Sequence, residues 1–145
     1  MSPRDVGHDG GQFAQVSTGM AHAVEREIGQ HLLALAHDGT EAAIDLRSIP
    51  MSDADRAELE ESLGRGEVSA TLDAMGRSDI WETAHAGVWW VRHFGTEGQV
   101  MAERIEIARV PDILRADPAD VEAAAIRLGR ARDFIDAHAD SVAGG

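Results

Sequence analysis

Residues 82–94 read ETAHAGVWWVRHF, and the way this stretch folds decides the architecture. Trp89 and Trp90 are neighbours in a chain with three tryptophans and no tyrosine. Valines flank the pair, and β-branched and aromatic residues suit strands. Successive side chains of a strand point to opposite faces. An extended 88–94 therefore sets Val88, Trp90, Arg92 and Phe94 on one side, with Trp89, Val91 and His93 on the other. Only one of the two rings can then face a helix-covered core. Trp89 is expected to be the more buried ring. The other ring, with Trp81 from the preceding segment, forms an aromatic patch of the kind that marks binding surfaces.

The surrounding pattern supplies the remaining elements. Ala21, Val24, Ile28, Leu32 and Leu35 recur at helical spacing. Ser17 or Thr18 is a candidate cap for that helix, and Gly39 ends it. AAIDLRSIP (42–50) is a short strand candidate stopped by Pro50. Ser52 with Asp55 three residues on predicts a capped helix ending near Gly64. EVSATLDAM (67–75) alternates as a strand, with Val68, Ala70 and Leu72 on one face. The extended run from Ile80 to Phe94 contains Gly87, which predicts a bulge or bend. GTEG (95–98) is a hairpin loop, and a strand returns through Ile105 and Ile107. Asp117-Pro118-Ala119-Asp120 starts a last helix.

This order predicts an α+β fold: an antiparallel sheet of three to four strands with helices packed on one face, a two-layer sandwich. Residues 1–16 read as a loose arm, 17–140 as a single domain and 141–145 as a frayed tail. A chain of 145 residues can bury a core without disulfides or a structural metal.

The formal net charge of -13 repels phosphate backbones, which argues against nucleic acid and anionic membrane surfaces and favours a basic partner. There is no cysteine, which excludes disulfides, CxxC chemistry and thiolate-ligated metals. No leader-like or membrane-spanning run occurs, so a cytoplasmic protein without membrane insertion is expected.

Chemistry is hard to find. Ser69 and Thr71 sit in a strand pattern without a nucleophile elbow, and the GRGE turn lacks the lysine of a phosphate loop. His85, His93 and Glu103 are the best candidates for a metal or acid–base site, but no HxH or HExxH spacing accompanies them. The reading is therefore a non-enzymatic protein with no cofactor and no metal ligands. The partner-binding candidates are Trp81, Glu82, Trp89, Trp90, Val91, Arg92 and His93. A homodimer with the tryptophans at its interface is a further reading.

Three ordered blocks carry a resemblance: LGRGEVSATL (63–72), ETAHAGVWWV (82–91) and IEIARVPDIL (105–114). Together they resemble the C-terminal conserved region of hydrogenase expression/formation proteins of the HupH/HyaF/HoxQ type. Gly66, Glu67, Val68, Ser69, Ala70 and Gly87 stand at family positions. The resemblance implies a non-catalytic chaperone in [NiFe] hydrogenase maturation. Its client would be a subunit precursor, the iron–sulfur small subunit first, met before assembly or twin-arginine export and alongside a thioredoxin-like accessory protein. Family members are longer, with a region before this block. The resemblance therefore implies a short form that either serves a different hydrogenase subunit or needs a second protein to supply the missing part. The alternative is a metal-binding or enzymatic maturation factor built on His85, His93 and Glu103.

Overall fold

The computed structural model describes residues 16–143. The N-terminal arm expected over 1–16 therefore lies outside these residues except at Val16, as do the last two positions of the expected tail. The backbone divides into two compact units, one up to Pro111 and one from Asp112. The sequence pattern predicts a single domain over 17–140.

The first unit runs α1 (Met20–Asp38), β1 (Ala42–Asp45), a 3-10 turn (Leu46–Ser48), α2 (Asp53–Leu63), β2 (Ser69–Asp73), β3 (Arg77–Glu82), β4 (Val88–Phe94) and β5 (Val100–Ile107). The five strands form one antiparallel sheet in the order β1-β5-β4-β3-β2. The fold is α+β as expected, with five strands rather than three to four. The difference arises in the opening stretch. Thr83 N–H bonds to Val88 O at 2.9 Å and Val88 N–H to His85 O at 3.1 Å, so the chain reverses between Glu82 and Val88. The expected single bent strand from Ile80 to Phe94 is two paired strands. Gly87, at φ +85°, supplies the left-handed step that this reversal needs.

Helices α1 and α2 pack on one face. Their Ala21, Val24, Ile28, Leu59 and Leu63 join Ile44, Trp81, Val88, Trp90, Ile105 and Ile107 in one buried cluster. The strand register explains the composition of that cluster: Trp81 pairs with Trp90, Trp90 with Ile105, and Ile105 with Ile44, giving one apolar row across four strands. Burial of such side chains contributes roughly 1.5–3 kcal/mol each.

Helix ends follow the sequence in α2 and depart from it in α1. Ser52 caps α2 reciprocally with Asp55, as the capping-box spacing requires. Gly39 ends α1 with φ +77° and donates to Leu35 O. At the start of α1, however, Gly19 is the cap residue and makes no side-chain cap bond. Thr18 instead donates its N–H (2.7 Å) and its hydroxyl to the Asp55 carboxylate. A buried carboxylate at the α2 terminus outcompetes the local cap, because charge-assisted bonds are the stronger ones.

The second unit holds a 3-10 turn (Asp112–Leu114) and the helix α3 (Pro118–Ala143). Pro118 occupies its first position, and Asp117 Oδ1 accepts from Ala119 N–H at 2.8 Å.

Candidate functional site

Both sheet faces are dry at their centres. Trp90 is 0% exposed, Trp81 3% and Trp89 5%. This corrects two expectations. Trp90, not Trp89, is the deeper ring, and no exposed aromatic patch forms from these side chains. Trp90 lies on the helix-covered face, stacked on Trp81 with centroids 5.7 Å apart and planes 6° from parallel. Trp89 lies on the opposite face beside the buried Ile80 and Val91. Its Nε1 donates to Ala108 O at 3.1 Å, because the chain turns back after β5.

A buried ionic network adjoins the stacked rings. Glu103 is 1% exposed and accepts from Arg92 Nε (2.6 Å), Arg56 Nη1 (2.7 Å) and Trp90 Nε1 (2.9 Å). Arg92 also reaches Glu60 at 3.3 Å and lies over the Trp81 and Trp90 rings. Burial alone would lower the Arg92 pKa, but the bonds and charges of Glu103 and Glu60 outweigh it and raise it. On the outer side, Arg65 covers Trp81 at 4.1 Å from the ring centre. Glu103 is thus the counter-ion of two arginines. Arg56, Arg65 and Glu60 were not singled out in the sequence. Their partners lie far along the chain, and no local spacing signals them.

The register keeps the metal candidates apart. Glu103 pairs with Arg92 on the helix-covered face, while His93, one residue on, points to the other. There its Nδ1 lies 2.6 Å from Ser78 Oγ. His85 lies beyond the opposite end of β4 and is exposed. Among the described residues, no group of three His, Cys, Asp or Glu side chains has metal-holding geometry.

The three sequence blocks do converge. At one end of the sheet, Leu63 O accepts from Ala84 N–H (2.9 Å), Glu82 O from Gly66 N–H (2.7 Å), and Val68 O from Glu82 N–H (2.9 Å). Gly87 O accepts from Ala108 N–H at 3.0 Å, tying in the third block. Packing here leaves no room for a side chain at Gly66, where an added Cβ would lie 2.7 Å from Thr83 O. Thr83 is buried and its hydroxyl takes the His85 N–H, which orders the reversal.

This corner borders two concavities along α1. One, of about 680 Å³, is lined by Leu32, Leu35, Ala36, Gly39, Glu82, Ala86, Gly87 and Arg109. The other, of about 380 Å³, shares Leu32 and adds Glu25, Ile28, Gly29, Ser62, Leu63 and His85. Of the expected partner-binding residues, Trp81, Trp89, Trp90 and Val91 are interior, and Glu82, Arg92 and His93 are half-buried. Of the family positions, Gly66, Glu67, Val68 and Ser69 are exposed and Ala70 and Gly87 half-buried.

The profile of the HupH hydrogenase expression protein, C-terminal conserved region, matches residues 19–135. The chain belongs to this family. It is 30% identical over 97 residues to the hydrogenase expression/formation protein HoxQ of Azotobacter vinelandii, covering 67% of this chain and 34% of that protein. It is 33% identical over 105 residues to the hydrogenase-1 operon protein HyaF of Escherichia coli K12, covering 70% and 37%. The chain thus spans little more than a third of these HupH-type relatives. A solved structure of the hydrogenase expression protein HupH from Thiobacillus denitrificans is 40% identical, with a TM-score of 0.75, over 81% of this chain and 99% of that one. The α+β fold is therefore shared with a HupH structure. No helix among the described residues is long and apolar enough to cross a membrane.

Proposed function

We propose that this chain acts as a non-catalytic chaperone in the maturation of a [NiFe] hydrogenase. It engages a subunit precursor in the cytoplasm before assembly or export, and the iron–sulfur small subunit is the favoured client. A thioredoxin-like accessory protein works beside it. Family membership carries this reading, since the relatives are named hydrogenase expression/formation proteins.

The physical chemistry supports an interaction surface at the interlocked corner. Leu32 and Leu35 offer apolar surface, while Glu25 and Glu82 line the same concavities with carboxylates. The net charge of -13 steers a basic segment toward the chain. An export leader with paired arginines and a hydrophobic stretch has matching chemistry.

Affinity capture tests the reading. The full chain is used to retain the hydrogenase small subunit, with and without its leader. The expected result is retention of the leader-bearing form, weakened by Leu35→Asp. Equal retention of both forms removes the leader-specific part, and retention of no hydrogenase subunit overturns the proposal.

A further inference from the structure

The two edges of the sheet are treated differently by the sequence. At the β1 edge, β1 is only four residues long, so β5 extends beyond it. There Arg47 reaches across and donates from Nη1 to Val100 O at 3.0 Å. Short strands and covering side chains are the usual ways to blunt an edge.

Among the described residues, the β2 edge has no such protection. Val68 O accepts from Glu82 N–H and Ala74 N–H donates to Gly76 O, so both residues turn their backbone toward β3. Strand alternation then turns the N–H and C=O groups of Ser69, Thr71 and Asp73 outward. These three residues are exposed. From Val68 to Leu72 the edge carries no charge and no proline, and Val68 is 48% exposed. Open uncharged edges of this kind are templates for another strand.

We propose that the β2 edge receives an extended segment of the client as a sixth strand. The segment has small or β-branched uncharged residues at its centre and basic residues at its ends. This rests on the chaperone reading above and specifies how the client is held. Main-chain bonds to Ser69, Thr71 and Asp73 hold the segment without demanding a strict sequence, while Val68, Ala70 and Leu72 contact its alternate side chains. Charge selects the occupant. Glu67 and Asp73 flank the uncharged run and Glu82 stands behind it, and among the described residues neither Glu67 nor Glu82 has an ion-pair partner. A second copy of the chain would bring a further -13 to the same edge, whereas a basic segment meets complementary charge.

The test uses the full chain and the leader-bearing small-subunit precursor as probe. Thr71→Pro deletes one outward N–H and leaves the bonds to β3 in place, and proline is tolerated on edge strands. Val68→Lys is a second variant that charges the edge without touching the core. Circular dichroism and thermal melting confirm that both fold. Precursor affinity is expected to fall about tenfold in each. In the wild type, amide exchange at Ser69, Thr71 and Asp73 is expected to slow when precursor is added. Unchanged affinity in both folded variants overturns the edge proposal and leaves the chaperone reading standing. Precursor that fails to bind the wild type overturns both. Slowed exchange on raising the protein concentration alone identifies a second copy as occupant and also overturns the proposal.

Discussion

Trp81 and Trp90 are direct cross-strand partners, with parallel rings 5.7 Å apart at the centre of the helix-covered face. Ile105 and Ile44 continue the same row. Removing Trp90 leaves a cavity where α1 and α2 meet the sheet. Trp90→Ala is expected to lower unfolding free energy by about 3–5 kcal/mol in urea denaturation. A double-mutant cycle with Trp81→Ala should show a coupling of about 0.5–1.5 kcal/mol. A smaller loss for Trp90→Ala than for Trp89→Ala would contradict the burial order.

The buried Glu103 carboxylate pairs with both Arg56 and Arg92, and Glu60 adds a second carboxylate beside Arg92. Glu103→Gln keeps the shape and removes the charge, so Arg56 loses its ion-pair partner and Arg92 keeps only Glu60 at 3.3 Å. The expected cost is about 3–5 kcal/mol. Replacing all three residues by apolar ones of similar size should restore much of it, because the desolvation of the charges disappears as well. Loss of a metal-dependent property in Glu103→Gln, with stability unchanged, would instead point back to ligand chemistry.

Gly66 and Gly87 hold the corner by lacking side chains. A Cβ at Gly66 meets the Thr83 carbonyl, which the backbone cannot easily move. Gly87 has φ +85°, and a Cβ added there would lie 3.3 Å from Leu35 Cδ2 and 3.5 Å from Leu32 Cδ2. Alanine at either position should cost about 1–3 kcal/mol. Amide exchange should report the damage first between residues 83 and 88.

Two titrating groups shape the acid side of the pH profile in separate ranges. His93 is held below its ordinary value of 6.5, by burial first and then by Arg104, while Glu106 opposes. The fold thus prefers the neutral ring. That contribution is complete above 6.5 and fades as pH falls through the lower folded value. Burial pushes the Asp55 carboxyl up, but bonds from Thr18 and Ser52 hold it down at about 2. Its contribution is complete above 3.8 and is lost as pH falls toward 2. Thermal melts across pH should lose the mildly acidic slope in His93→Gln and the strongly acidic slope in Asp55→Asn.

Local chemistry was legible wherever a few neighbouring residues decide it. Ser52 and Asp55 announce a helix start because both partners of the capping box lie within one turn. Gly39 ends α1 because the left-handed conformation there suits glycine. The family was legible too, in three blocks whose order and separation the sequence displays. The capping role of Thr18 was misread because its actual partner, Asp55, lies 37 residues away.

What the sequence alone determined is the α+β class, the alternation that sends Trp89 and Trp90 to opposite faces, and the family. Each follows from period and short-range pattern. Only the tertiary structure decided which tryptophan is deepest, that 80–94 is two strands, and that Glu103 is a counter-ion. It also decided which edge of the sheet stays open. These depend on cross-strand register and on residues tens of positions apart, and the pleat fixes sides without saying what covers them.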